Sequence, residues 1–162
     1  MILLTLLSPS AHAQEKEPYD HAVSITNSPL QLVLPIVEVT GEFRLADRVG
    51  LGAIVGLGAS SGLPVGTLGP TFRFYPLGSF DHGMQVGADL QLVAAATEVA
   101  GDLVSAVGVT GGPFLGYKIA ARFGLTFEGQ LGVGGSYVTG GGGASATVGA
   151  IPILNLNLGW SF

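Results

Sequence analysis

Taken two residues at a time, the chain sorts into stretches with one apolar face and one small or polar face. Residues 155–162 do so most cleanly: Leu156, Leu158, Trp160 and Phe162 alternate with Asn155, Asn157, Gly159 and Ser161. Successive side chains of a strand point to opposite sides, so this segment has a purely apolar face that ends in two aromatics. A transmembrane barrel uses such a strand directly, with the apolar face toward lipid, the polar face toward the lumen, and aromatics at the interface.

The same alternation recurs upstream. Residues 21–27 alternate weakly, Val23 and Ile25 against Ser24 and Thr26. Residues 36–45 set Val37, Val39, Phe43 and Leu45 against Glu38, Thr40, Glu42 and Arg44. Residues 49–58 send Val49, Leu51, Ala53, Val55 and Leu57 outward and leave an inner face of Gly50, Gly52, Gly56 and Gly58, with Ile54 between. Residues 68–75 oppose Leu68, Phe72 and Phe74 to Thr71, Arg73 and Tyr75, and residues 84–94 turn Gln85, Asp89 and Gln91 inward. Residues 103–117 and 122–138 continue the pattern, the latter with Glu128 and Gln130 inside, and a last strand starts near Ala146. Segment 28–35, with two prolines, predicts a first loop or a strand kink. Tight turns are expected at 46–48, 76–83 and 118–121, and loops at 59–67, 97–102 and 140–143. The three turns share one side with the C-terminus, the periplasmic side of an outer-membrane barrel. The loops face the other side.

Composition decides between a soluble sheet and a barrel. Only 10% of the residues are charged, yet the chain holds 27 Gly and 9 Pro, and its mean hydropathy is +0.56. A membrane helix needs about 20 consecutive apolar residues. None exists, and the best run beyond the leader, 30–37, is broken by Gln31 and Pro35. A closed barrel is the other structure that satisfies its backbone within lipid. The expected fold is therefore all-β: an up-and-down antiparallel transmembrane barrel of about eight strands spanning residues 21–162. A glycine-rich soluble β-protein is the competing reading.

Residues 1–13 read as the end of a secretory signal. They are apolar over 2–7, and Ala11-His12-Ala13 precedes Gln14 as a cleavage site. A positive n-region and a full apolar core are missing, as when the start is assigned too late. Residues 14–20 form a charged, flexible lead-in.

The segments Ile36-Val-Glu-Val-Thr-Gly-Glu-Phe-Arg-Leu-Ala-Asp-Arg-Val-Gly-Leu-Gly, Gly69-Pro-Thr-Phe-Arg-Phe-Tyr-Pro and Leu156-Asn-Leu-Gly-Trp-Ser-Phe resemble small bacterial outer-membrane β-barrel proteins of the OmpX/OmpW-like group. The resemblance covers nearly all of the mature chain and specifies architecture rather than chemistry. It implies an outer-membrane location among lipid. It also implies that the barrel assembly machinery reads the terminal strand, with Trp160 and Phe162 as the signal. The group holds structural proteins, adhesins, small-solute conduits and a few lipid-modifying enzymes, and fold does not choose among them.

Candidate chemistry is sparse. Residues 58–62 fit G-x-S-x-G, but a nucleophile elbow needs a following helix, and Leu63-Pro64 follows instead. The mature chain offers only His21 and His82 as bases, both expected at the end opposite Ser60 and Ser61. Two histidines without cysteine make a poor metal site, and no dinucleotide fingerprint occurs, so no enzyme activity, metal or cofactor is expected. A net charge of −5 with scattered Lys and Arg argues against nucleic acid. What remains is an inward charge set: Glu38, Glu42, Arg44, Arg73, Asp89 and Glu128. These either pair with one another or line a polar path for a small solute. Pairing is favoured because eight strands enclose little room, and Arg73 is the expected hub. The functional expectation is a non-enzymatic envelope protein with a structural or surface-interaction role. A narrow conduit for a small or apolar solute is the alternative, and a lipid-modifying enzyme a distant third.

Overall fold

The computed structural model describes residues 21–33, 35–60, 63–99, 102–140 and 145–162. The expected signal and lead-in, residues 1–20, lie outside them, as do Ser61 and Gly62 of the serine motif and most of the glycine loop. The strands are β1 (Val23–Asn27), β2 (Ile36–Ala46), β3 (Val49–Ser60), β4 (Leu63–Gly78), β5 (His82–Val99), β6 (Asp102–Ala120), β7 (Leu125–Gly140) and β8 (Ser145–Ser161). Each pairs antiparallel with its sequence neighbours, and β1 pairs with β8, so the sheet is a closed up-and-down barrel. Closure removes the free edge that an open sheet would present.

Burial is inverted relative to a soluble protein. The exposed set is a belt of large apolar side chains that includes Val37, Phe43, Leu68, Leu115, Phe127, Leu131 and Leu156. Among the described residues the buried set is dominated by polar groups, among them Thr40, Glu42, Thr71, Gln85, Thr126, Gln130 and Asn157. The period-2 patterning produces this directly, because each strand turns its polar face inward.

The strands run further than the sequence pattern suggests. Residues 59–67, expected as a loop, are nearly all strand: β3 continues to Ser60 and β4 begins at Leu63, with Ser60 opposite Leu63. Of the expected loop at 97–102, residues 97–99 belong to β5 and Asp102 to β6, and Val99 pairs with Asp102. At the other end, residues 118–120 belong to β6, and Arg122 lies in the turn before β7 rather than in the strand. At 59–67 backbone pairing outweighs the local turn propensity of Gly, Ser and Pro, whereas residues 118–120 hold none of these and continue the strand.

The wall is uneven. β4 to β8 have 16 to 19 residues, whereas β1 has only five. Pro29 supplies no N–H to a ladder, so β1 cannot continue past Ser28. The chain instead makes a single 3-10 turn, Pro29–Val33, which packs against both β2 and β8. Ser28 Oγ and Gln31 Nε2 donate to Asn155 Oδ1 at 3.3 and 3.5 Å, and Ser28 N–H donates to the Glu38 carbonyl at 3.2 Å. The expected loop or kink is thus a turn that bridges the notch above β1.

Below the notch the seam is short. β1 meets β8 from Ser24 opposite Ser161 to Asn27 opposite Leu158. The Phe162 carbonyl accepts from Ala22 and Val23 N–H at 2.6 and 3.2 Å, and Phe162 N–H donates to the Val23 carbonyl at 2.8 Å. Gly159 faces the Ile25 carbonyl so closely that a Cβ would collide with it. Gly159→Leu is expected to lose about 1–3 kcal/mol in urea unfolding from lipid, as overpacked sites do. Gly149→Leu, where a Cβ meets nothing within 4 Å, should stay within about 0.5 kcal/mol of wild type.

Candidate functional site

The inward faces of β2, β4, β6, β7 and β8 meet in a cluster of buried charge. Glu42 on β2 accepts from Arg73 Nη1 (3.0 Å, β4) and Lys118 Nζ (2.8 Å, β6) at Oε2, and from the Tyr75 hydroxyl (2.8 Å) at Oε1. Glu128 on β7 accepts from the same Arg73 nitrogen at 2.8 Å on both oxygens and from Asn157 Nδ2 at 3.3 Å. Lys118 Nζ lies 3.6 Å from Glu128 Oε1, which closes a four-membered ionic ring. Arg73, Lys118, Glu42 and Glu128 are each at most 3% exposed. Two carboxylates face two cations, so the ring is neutral, and its charge-assisted bonds are of the short, strong kind.

Local sequence makes room for it. Glu42 stands opposite Gly52 and lies over the glycine face of β3. A Cβ on Gly50 would collide with its carboxylate. Beneath the ring, Phe80 from the β4–β5 turn folds into the barrel, fully buried, with Lys118 Nζ 3.8 Å from its ring centroid. Its backbone is held by an N–H bond to the Asp47 carbonyl at 2.8 Å, and its ring meets Tyr75 edge-on at 6.1 Å. A cation over an aromatic face in a desolvated site gains about 2 kcal/mol.

Of the six residues expected to share a lumenal cluster, the structure joins Arg73, Glu42 and Glu128 directly. Arg44 is half-buried opposite Gly50, on the same strand face as Glu42. Glu38 and Asp89 sit further from the chain termini along the barrel, where they line a separate cavity. The second cation of the ring, Lys118, is absent from the sequence-derived set. Strand parity could have found it, because it follows Phe114 and Gly116 on the inward face of β6, but the segment reads as a turn. Phe80 carries no periodic signal at all.

The remaining candidates stand apart. Trp160 points outward against Phe123, ring centroids 5.8 Å apart, and Phe162 is exposed. His21 Nδ1 lies 3.0 Å from Asp81 Oδ1, and His82 Nε2 lies 2.9 Å from the Tyr117 hydroxyl. Ser60 ends β3 and His82 begins β5, at opposite ends of the barrel. Among the described residues, no group of three or more His, Cys, Asp or Glu could hold a metal ion. The fold and its interior define a small, closed antiparallel barrel with an ionic plug. The chain matches no protein-family model, no curated protein and no solved structure.

Removing one member of a buried ionic ring leaves the others uncompensated, at a cost of about 3–5 kcal/mol. Arg73→Ala should lose that much in urea unfolding from lipid, and Lys118→Ala should approach it. Arg48→Ala in the exposed β2–β3 turn should lose no more than about 0.5 kcal/mol.

Proposed function

We propose that this chain is a non-enzymatic outer-membrane β-barrel with a structural or surface-interaction role in the cell envelope. The observation that carries this reading is the inverted burial: an apolar exterior around a polar, charge-bearing interior. An exterior of that kind suits lipid, where a closed barrel is one of two permitted solutions. On this reading the belt contacts outer-membrane lipid, and the barrel assembly machinery engages the terminal strand through Trp160 and Phe162.

The plug favours a structural role over a conduit. Arg73, Lys118, Glu42, Glu128, Tyr75 and Phe80 are all essentially buried at one level of the barrel. A solute crossing there would have to break charge-assisted bonds in a confined space. Planar-bilayer recording of the refolded protein tests this. The expected trace has no long-lived conductance steps for the wild type. Stable steps would favour the conduit.

The terminal strand yields a second prediction. Deleting Phe162 removes an outward ring worth at most about 1.5–3 kcal/mol of burial, together with its three backbone hydrogen bonds to Ala22 and Val23 at the β1–β8 seam. The level of folded protein in outer-membrane fractions should nevertheless fall severalfold, while protein refolded in vitro still shows the heat-dependent gel shift of a barrel. Wild-type levels in the membrane would remove the assembly role of this residue.

A further inference from the structure

On the far side of the ionic ring from the chain termini, the lumen widens into a cavity of about 480 Å³. Glu38, Asp89 and Gln91 form much of its polar wall, and Leu30, Ile36 and Ile153 much of its apolar wall. The two carboxylates come from β2 and β5, and both are more than nine-tenths buried. Asp89 Oδ1 has no hydrogen-bond partner. Arg73 and Lys118 are engaged below, where they hold Glu42 and Glu128. No Lys or Arg is among the described residues that line the cavity. A buried carboxylate oxygen without a partner is costly, so Asp89 Oδ1 is an acceptor that the protein's own hydrogen bonds do not meet.

We propose that this cavity binds an organic cation with an apolar tail, that is, an amphiphile carrying a protonated amine or a quaternary ammonium. The head sits between Glu38 and Asp89, and the tail lies against Leu30, Ile36 and Ile153. Three features select this class. An anionic head would meet two like charges. A bare divalent ion wants six or more oxygen ligands, and among the described residues no group of three or more His, Cys, Asp or Glu gathers to hold one. The volume lies in the range of small-molecule pockets, which are mostly apolar with a few placed polar groups. The site needs only the folded barrel, so its test is independent of whether the lumen conducts and of the envelope role proposed above.

The experiment uses the barrel in nanodiscs of neutral lipid, with empty nanodiscs as the blank. Octyltrimethylammonium and octyl glucoside, both below micelle formation, are compared by calorimetry. The ammonium compound should bind at least about tenfold more tightly, a difference of about 1.4 kcal/mol. Asp89→Asn should erase most of that preference and Glu38→Gln/Asp89→Asn all of it. Asp47→Asn, which removes the same charge from an exposed turn, should leave it intact. Ile153→Phe narrows the cavity while keeping both carboxylates, and should weaken both ligands. A gel-shift assay confirms that each variant is folded. Equal affinities in the wild type would overturn the proposal, as would a preference that survives Glu38→Gln/Asp89→Asn or falls equally with Asp47→Asn. Saturable binding of calcium or magnesium that Asp89→Asn abolishes and that displaces the ammonium compound would also overturn it, in favour of an inorganic cation site.

Discussion

Glu42 is the point on which the interior of this barrel turns. One of its oxygens takes Arg73 and Lys118 together, and the other takes the Tyr75 hydroxyl. Closing eight strands leaves a lumen just wide enough for side chains to fill it, so a charge placed there must be answered by another strand. The ring draws its members from β2, β4, β6 and β7, with Asn157 of β8 behind Glu128. A slip of one residue in any of these strands would throw its member to the outer face. A buried ion pair is weak support for stability in itself, because desolvation offsets its Coulomb attraction. A slipped strand would leave the partners of its member buried and unanswered, so the cluster also disfavours alternative registers.

The second constraint is the short first strand. Five residues of β1 close the barrel where it is narrowly packed, and Pro29 ends the ladder. Beyond that point β8 from Ser145 to Asn157 has no partner in β1, and the 3-10 turn covers part of the gap through Ser28, Gln31 and Asn155. Leu30 and Val33 of this turn line the lumenal cavity on one side and an apolar hollow beside Leu156 and Leu158 on the other. One turn, not a strand, therefore divides the lumen from the outer surface there. Side-chain hydrogen bonds hold it in place of a continuous ladder, and such connections open at lower free energy than core strands do.

Much of this architecture was legible in the sequence, because a barrel strand has one dominant signal, its parity, and parity survives errors in strand length. Arg73, Glu42 and Glu128 could be placed inside and brought together on that basis alone. The hairpin ends were not legible. Gly58 to Pro64 has the composition of a loop, but Gly58, Ala59 and Ser60 pair with Val65, Pro64 and Leu63. Lys118 was hidden by the same difficulty, since Lys-Ile-Ala-Ala before Arg122 looks like the start of a turn, although parity continues through it. Phe80 was hidden for a different reason. Its burial depends on the turn folding back into the barrel mouth under Lys118, a tertiary event with no local pattern. The 3-10 turn was visible only as two prolines that forbid a strand, which says where pairing stops but not what replaces it.

These features divide the lumen into two halves with different obligations. Near the termini the interior is filled by the ionic ring, Phe80 and Tyr75, and every charge of the ring has its counterpart. That half determines whether the strands close in register, so its residues are tied to the fold and to one another. The other half begins where β1 ends. Its wall is completed by a turn, its volume is not filled by side chains, and no Lys or Arg is among the described residues that line it. Closure does not need that half to be charged, since Asn and Gln would satisfy the same strand parity. The acids at Glu38 and Asp89 are therefore not explained by folding, whereas those at Glu42 and Glu128 are. That difference separates the part of this interior that makes the barrel from the part available for whatever the barrel does.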